Sequence, residues 1–187
     1  MKNILMAVST LILFGCTHYQ VESEVQQVDN GDLCLGGSAL PEKMVGEFDQ
    51  IDDETLLNKT LGNSKKGKLC QGQVYKSKKD SQIVIYRAWN STNPNSKFGK
   101  WWAFQKPAGD ISKYRSDYEI CYQWSPLDKL VSCTLKADTK VVVGTGQSAE
   151  CSEFLTYPVS SKQQIYIDDA GNSLTNCTIF QGEFSWK

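Results

Sequence analysis

Hydrophobic and polar positions divide the chain into an apolar leader, a polar stretch, a helical section and a long run of short alternating segments. Residues 4–14 are almost all apolar, whereas residues 17–32 show almost no apolar periodicity. After Leu40-Pro41, Met44, Val45 and Phe48 recur at helical spacing, with Pro41 acceptable in a first turn. Asp52-Asp53-Glu54 then places acids at the start of a second short helix carrying Leu56, Leu57 and Leu61, with Gly62 as its stop. Past Leu69 the period shortens to two. Strands are predicted over residues 70–75, 82–89, 101–105, 129–135, 140–143, 163–167 and 177–186, with turns at 137–139, 144–146 and 168–172. One helix interrupts them: Asp110 is placed to cap residues 111–120, in which Ile111, Tyr114, Arg115 and Tyr118 share a face. The pattern predicts an α+β fold, with short N-terminal helices followed by a mainly antiparallel sheet and one covering helix.

The densest part of this pattern is residues 81–106. Two apolar-aromatic runs, 83–89 and 101–104, flank a turn-rich segment containing Asn90, Asn93-Pro94-Asn95 and Gly99. They predict a β-hairpin with an aromatic face at the centre of the sheet. Side chains alternate across a strand, so Trp101 and Trp102 cannot both enter one core.

Composition narrows the class. With 187 residues, 40% hydrophobic and 22% charged, the chain has room for one good core. A net charge of −1, with both signs interspersed, gives no electrostatic case for nucleic acid. Seven cysteines are present. Cys16 closes the apolar leader, and the other six are Cys34, Cys70, Cys121, Cys133, Cys151 and Cys177. In an exported chain an even set implies disulfides, here three, stapling the domain. The expected pairing is Cys34–Cys70, Cys121–Cys133 and Cys151–Cys177. No metal site is predicted: there is no CxxC pair, and the lone histidine, His18, falls in the polar stretch. The acids at 49–54 lack the spacing of an EF-hand loop and are read as helix capping.

The leader carries the first resemblance. Lys2 provides a positive start, residues 4–14 an apolar region too short to span a bilayer, and Leu13-Phe14-Gly15-Cys16 its end. That tetrad resembles the lipobox of bacterial lipoproteins. The resemblance implies a signal peptide over residues 1–15, cleavage after Gly15 and lipidation of Cys16. Residues 16–32 then form a lipidated flexible tether, and residues 33–187 a single disulfide-stapled domain. Thr17 rather than Asp after the cysteine resembles the default for the outer membrane, on its periplasmic or surface side.

Acyl-transfer chemistry lacks a base, since residues 33–187 contain no histidine. Val143-Gly144-Thr145-Gly146 matches neither a dinucleotide-binding nor a P-loop pattern. A second resemblance attaches to Ile85-Tyr86-Arg87, which at the end of a strand looks like the first motif of the ADP-ribosyltransferase superfamily. It implies that Arg87 holds the phosphates of NAD, a task suited to its planar fork. Lys100-Trp101-Trp102 stands where the second motif would fall, and residues 163–167 where the third begins, making Gln164 a candidate beside Arg87. No Ser-Thr-Ser follows Arg87 and no Glu-x-Glu occurs at 163–164, so a catalytic carboxylate would come from Asp168, Asp169 or Glu183. Without that chemistry, Arg87 is a strand residue paired with a carboxylate or stacked on a tryptophan.

The aromatic residues support a binding reading instead. An exposed Trp101 or Trp102 beside Tyr114 would stack on a sugar ring of a glycan or anchor a protein partner; the structural alternative is that the 110–120 helix covers that face. The sequence therefore points to a membrane-anchored binding module needing no cofactor. The alternative is an ADP-ribosyltransferase-like enzyme that uses NAD, so enzymatic activity is left open.

Overall fold

The structure, a computed structural model, describes residues 33–181. The leader, Cys16, the tether, Glu183 and the end of the last predicted strand lie outside the described residues.

The first elements among the described residues are a 3-10 helix, Glu42–Glu47, and β1 (Phe48–Gln50). A single regular helix was expected here. Instead Phe48, buried in the core, starts an antiparallel pairing with Ser77, and the strand replaces further helix. Helix α1 (Glu54–Thr60) forms as its acids suggest, with the Asp53 carboxylate accepting from the Leu56 N–H at 3.0 Å. Strands β2 (Leu69–Ser77), β3 (Val84–Trp89) and β4 (Trp101–Trp102) follow, then α2 (Ile111–Asp117). Asp110 precedes α2 without a side-chain capping bond, contrary to its expected role. The remaining strands are β5 (Lys129–Leu135), β6 (Lys140–Gly146), β7 (Ala149–Ser152), β8 (Leu155–Tyr157), β9 (Gln163–Tyr166) and β10 (Leu174–Ile179). A one-turn α3 (Ala170–Ser173) occupies the predicted turn before β10.

Among the described residues these strands pair antiparallel with one another, in sheets ordered β1-β2-β6-β9-β4, β10-β5-β3 and β7-β8, and Leu69 of β2 adds one isolated parallel bridge to Leu61. The expected hairpin of residues 83–104 is therefore divided. β3 pairs with β5 and β4 pairs with β9, so its two arms belong to different sheets. They meet at one bridge, where Tyr86 and Ala103 exchange both backbone hydrogen bonds at 2.9 Å. The crossover reflects length: β4 has two residues, and its partner across the sheet is the buried Ile165-Tyr166 segment rather than β3.

The main core lies between the five- and three-stranded sheets and includes Ile83, Ile85, Trp102, Val131, Val141, Val143, Ile165 and Leu174. A second cluster on the other face of the five-stranded sheet joins Leu56, Leu69, Val74, Val142 and Tyr166, with Trp101 packed against it. The run Val141-Val142-Val143 is continuous because both faces of β6 are covered. The two adjacent tryptophans divide the same way. Trp102 enters the main core, while half-buried Trp101 packs edge-on to Tyr166, ring centroids 5.0 Å apart.

Three disulfides staple the fold: Cys34–Cys70, Cys121–Cys151 and Cys133–Cys177. The first is the expected pair, and the other two correct the expected Cys121–Cys133 and Cys151–Cys177. Cys133 lies on β5, where a bulge in β10 between Thr175 and Thr178 brings Cys177 opposite it. Cys121, fully buried, sits instead with Cys151 and Ala149 of β7 in a satellite cluster. The loops close over separations of 36, 30 and 44 residues. In the chain-entropy account each such crosslink stabilises by roughly 4 kcal/mol.

Candidate functional site

A cavity of about 190 Å³ opens between α2 with its following loop and the strands β3, β4 and β9. Its lining includes Arg87, Trp101, Trp102, Tyr114 and Gln164, all five candidate catalytic and binding residues from the sequence. It also includes Lys68, Tyr118, Glu119 and Trp124.

Arg87 shares the inward parity of Ile85 on β3. Its Nε donates to the Ser96 carbonyl at 2.7 Å and its Nη1 to the Trp101 carbonyl at 2.6 Å. The guanidinium also lies against Gly99, where any Cβ would overlap it. Arg87 thus fastens the connection between β3 and β4. Among the described residues it has neither the carboxylate partner nor the Trp stacking considered from sequence. Burial lowers its pKa to about 10, which leaves it cationic at neutral pH.

Glu119 was not singled out by the sequence. It follows α2 at the position where a left-handed residue, usually glycine, ends a helix, and its φ is 48°. The Ile120 N–H returns to the Arg115 carbonyl at 2.9 Å, the longer of the two bonds in a Schellman ending. Its side chain turns inward and is 2% exposed. Oε2 accepts from Gln164 Nε2 at 3.0 Å, while Oε1 has no hydrogen-bond partner. Burial drives the Glu119 pKa up to about 8, only partly offset by Gln164 and by nearby Ser160, whose hydroxyl donates to the Asp117 carbonyl at 2.6 Å.

One glycine makes room for this carboxyl, and a second admits a neighbouring strand. Side chains alternate along β6, so Gly144 and Gly146 lie on the Val142 face, and Gln164 lies on the Tyr166 face of neighbouring β9. A Cβ on Gly146 would overlap Glu119 Oε2, and one on Gly144 would overlap the Gln71 backbone. Residues 144–146, expected as a turn, are therefore strand. Their glycines mark close approach, a meaning that glycine in a strand often carries.

The other walls are aromatic. Tyr114 and Tyr118 stack at a tilt on α2, centroids 4.6 Å apart, opposite the tryptophans. Burial raises both phenol pKa values, that of Tyr118 to about 12, so both stay neutral. Trp124 lines the cavity yet remains exposed, so this wall borders solvent. The 110–120 helix accordingly neither covers the tryptophans completely nor leaves them open; it encloses a space with them.

Asp168, a carboxylate considered from sequence, lies elsewhere. It bonds Lys100 at 2.7 Å, Lys59 at 3.0 Å and the Tyr166 hydroxyl at 2.9 Å, contacts that hold its pKa well below the usual carboxylate range. Asp169 accepts from the Asn172 N–H at 3.3 Å and so caps α3. Among the described residues no group of three or more His, Cys, Asp or Glu side chains is placed to hold a metal ion, and no helix is long and apolar enough to cross a membrane.

No protein-family model matches the chain, and neither a curated protein nor a solved structure matches it.

Proposed function

We propose that the chain is an exported bacterial lipoprotein, held at the outer membrane through Cys16, whose domain binds one ring of a glycan in the cavity beneath α2. The anchor rests on the lipobox at residues 13–16. The observation carrying the binding reading is the lining. An arginine without a carboxylate partner, a buried glutamate with one unpartnered carboxyl oxygen, and Trp and Tyr residues line a single space. Aromatic faces stack on sugar rings, while the polar groups offer hydrogen bonds to hydroxyls.

Volume bears on the alternative enzyme reading. Arg87 and Gln164 do line one cavity, as an NAD site would require. However, an apolar cavity of about 150 Å³ holds one benzene, so about 190 Å³ suits a single substituted ring better than a dinucleotide. The fork of Arg87 is also partly committed to two backbone carbonyls.

Trp101, Trp102 and Trp124 line the cavity, which makes intrinsic fluorescence a direct reporter of occupancy. Titration with a panel of mono- and oligosaccharides should give a saturable change. Trp101→Ala should abolish the change while leaving the circular dichroism spectrum intact. If no sugar in the panel alters the emission, the glycan reading fails.

A further inference from the structure

We propose that the ring bound in this cavity is acidic, a hexuronate or close chemical equivalent, and that Glu119 makes its capture dependent on pH. The inference rests on the cavity being a glycan site and specifies what that site selects.

Charge on the lining points to an anion. The cations are Arg87 and, at the exposed rim, Lys68, whose ammonium donates to the Lys59 carbonyl at 3.1 Å; Glu119 is the sole carboxylate among the lining residues. With its pKa raised to about 8, Glu119 retains its proton at neutral pH, and the phenols of Tyr114 and Tyr118 are neutral. The empty site is therefore positive. A cationic ligand meets uncompensated like charge, and a purely apolar ring offers nothing to the guanidinium beyond its two backbone carbonyls or to the unpartnered Glu119 Oε1. An anionic ring with hydroxyls answers both, its carboxylate facing Arg87 and its hydroxyls facing Glu119 and Gln164.

The placement of Glu119 supplies an independent observation. A non-glycine residue at positive φ is strained, and this one also carries a nearly inaccessible carboxyl with an unpartnered oxygen. Glycine would end α2 more favourably on both counts. Five other non-glycine residues among those described have positive φ, but Glu119 alone of them combines it with a buried, unpartnered side-chain oxygen.

The surroundings of Glu119 fix the direction of the pH effect. Asp117, on its own helix, opposes ionisation, while Ser160 and Gln164, on the segments packed against it, favour it. Tyr118 adjoins it, and Tyr86, Tyr114, Lys68 and Arg87 complete the titratable lining. As pH rises through about 8, Glu119 acquires a negative charge inside the site and repels an anionic ligand.

Calorimetric titration of the mature protein with galacturonate, its trimer and neutral galactose, at about pH 6 and about pH 9.5, tests this. At the lower pH an acidic ligand should bind at least about tenfold more tightly than galactose. That preference should fall about tenfold at the higher pH and should persist there in Glu119→Gln, whose folding is verified by thermal melting. Tighter binding of the monomer identifies the free acid as ligand, and tighter binding of the trimer the end of an acidic glycan; either supports the class. Equal binding of galactose overturns the acidic ligand while leaving glycan binding intact. A preference unchanged by pH overturns the role of Glu119. Failure of every sugar overturns both readings.

Discussion

Glu119 loses stability with rising pH, and the sign follows from where its proton resides. Its pKa of about 8 in the folded chain lies above the ordinary 4.5, so between those values the native state binds a proton that the unfolded state has released. Its contribution is fully present below about pH 4.5 and is lost as pH rises through about 8. Within that window the limiting slope is about 1.4 kcal/mol per pH unit. Glu119→Gln retains the shape without the titration, so denaturant melts across the window should show a wild-type slope that the variant lacks. Parallel slopes would mean that Glu119 is ionised in the native state. The residue escaped the sequence reading for two reasons. The apolar face of the predicted helix ran through Ile111, Tyr114, Arg115 and Tyr118, leaving Glu119 off it, and no glycine marked the left-handed stop. The available signal was on another strand, in Gly146, whose missing Cβ gives the carboxyl space.

At the level of elements, alternation located β3 and β5, whereas β2, β6 and β9 were legible as short apolar or β-branched runs whose residues are buried at consecutive positions. The hairpin β7-β8 was missed because its strands are short and mix polar with apolar residues; only Ala149 and Cys151 are buried in it. That omission also misdirected the disulfides. Without β7, nothing in the sequence brought Cys151 to Cys121, and nearness along the chain favoured Cys133. Peptide mapping of the unreduced domain should recover Cys34–Cys70, Cys121–Cys151 and Cys133–Cys177, with no free thiol among these six. A Cys121–Cys133 peptide would contradict the placement of both β5 and β7. The aromatic stretch at 81–106 was legible as central but not in its pairing. Sequence shows that Trp101 and Trp102 face opposite ways, whereas the division of their strands between two sheets depends on partners far along the chain.

The whole molecule places its cavity where the two larger sheets meet at the Tyr86–Ala103 bridge, closed from outside by the end of α2. A site at such a junction is shaped by elements that the disulfides and the main core hold independently of any ligand. The proposed anchor lies outside the described residues and has its own test. Mass spectrometry of the membrane-extracted chain should find an acylated Cys16 at the N-terminus, and an unmodified start elsewhere would refute lipidation. The central claim is that the space lined by Trp101, Trp102 and Trp124 receives a sugar ring. Two-dimensional NMR of the indole N–H groups during sugar titration tests it most directly. Saturable shifts should be largest at Trp101 and Trp124, while Trp89, which does not line the cavity, stays nearly fixed. Shifts concentrated at Trp89, or none at Trp101 and Trp124, would contradict the account.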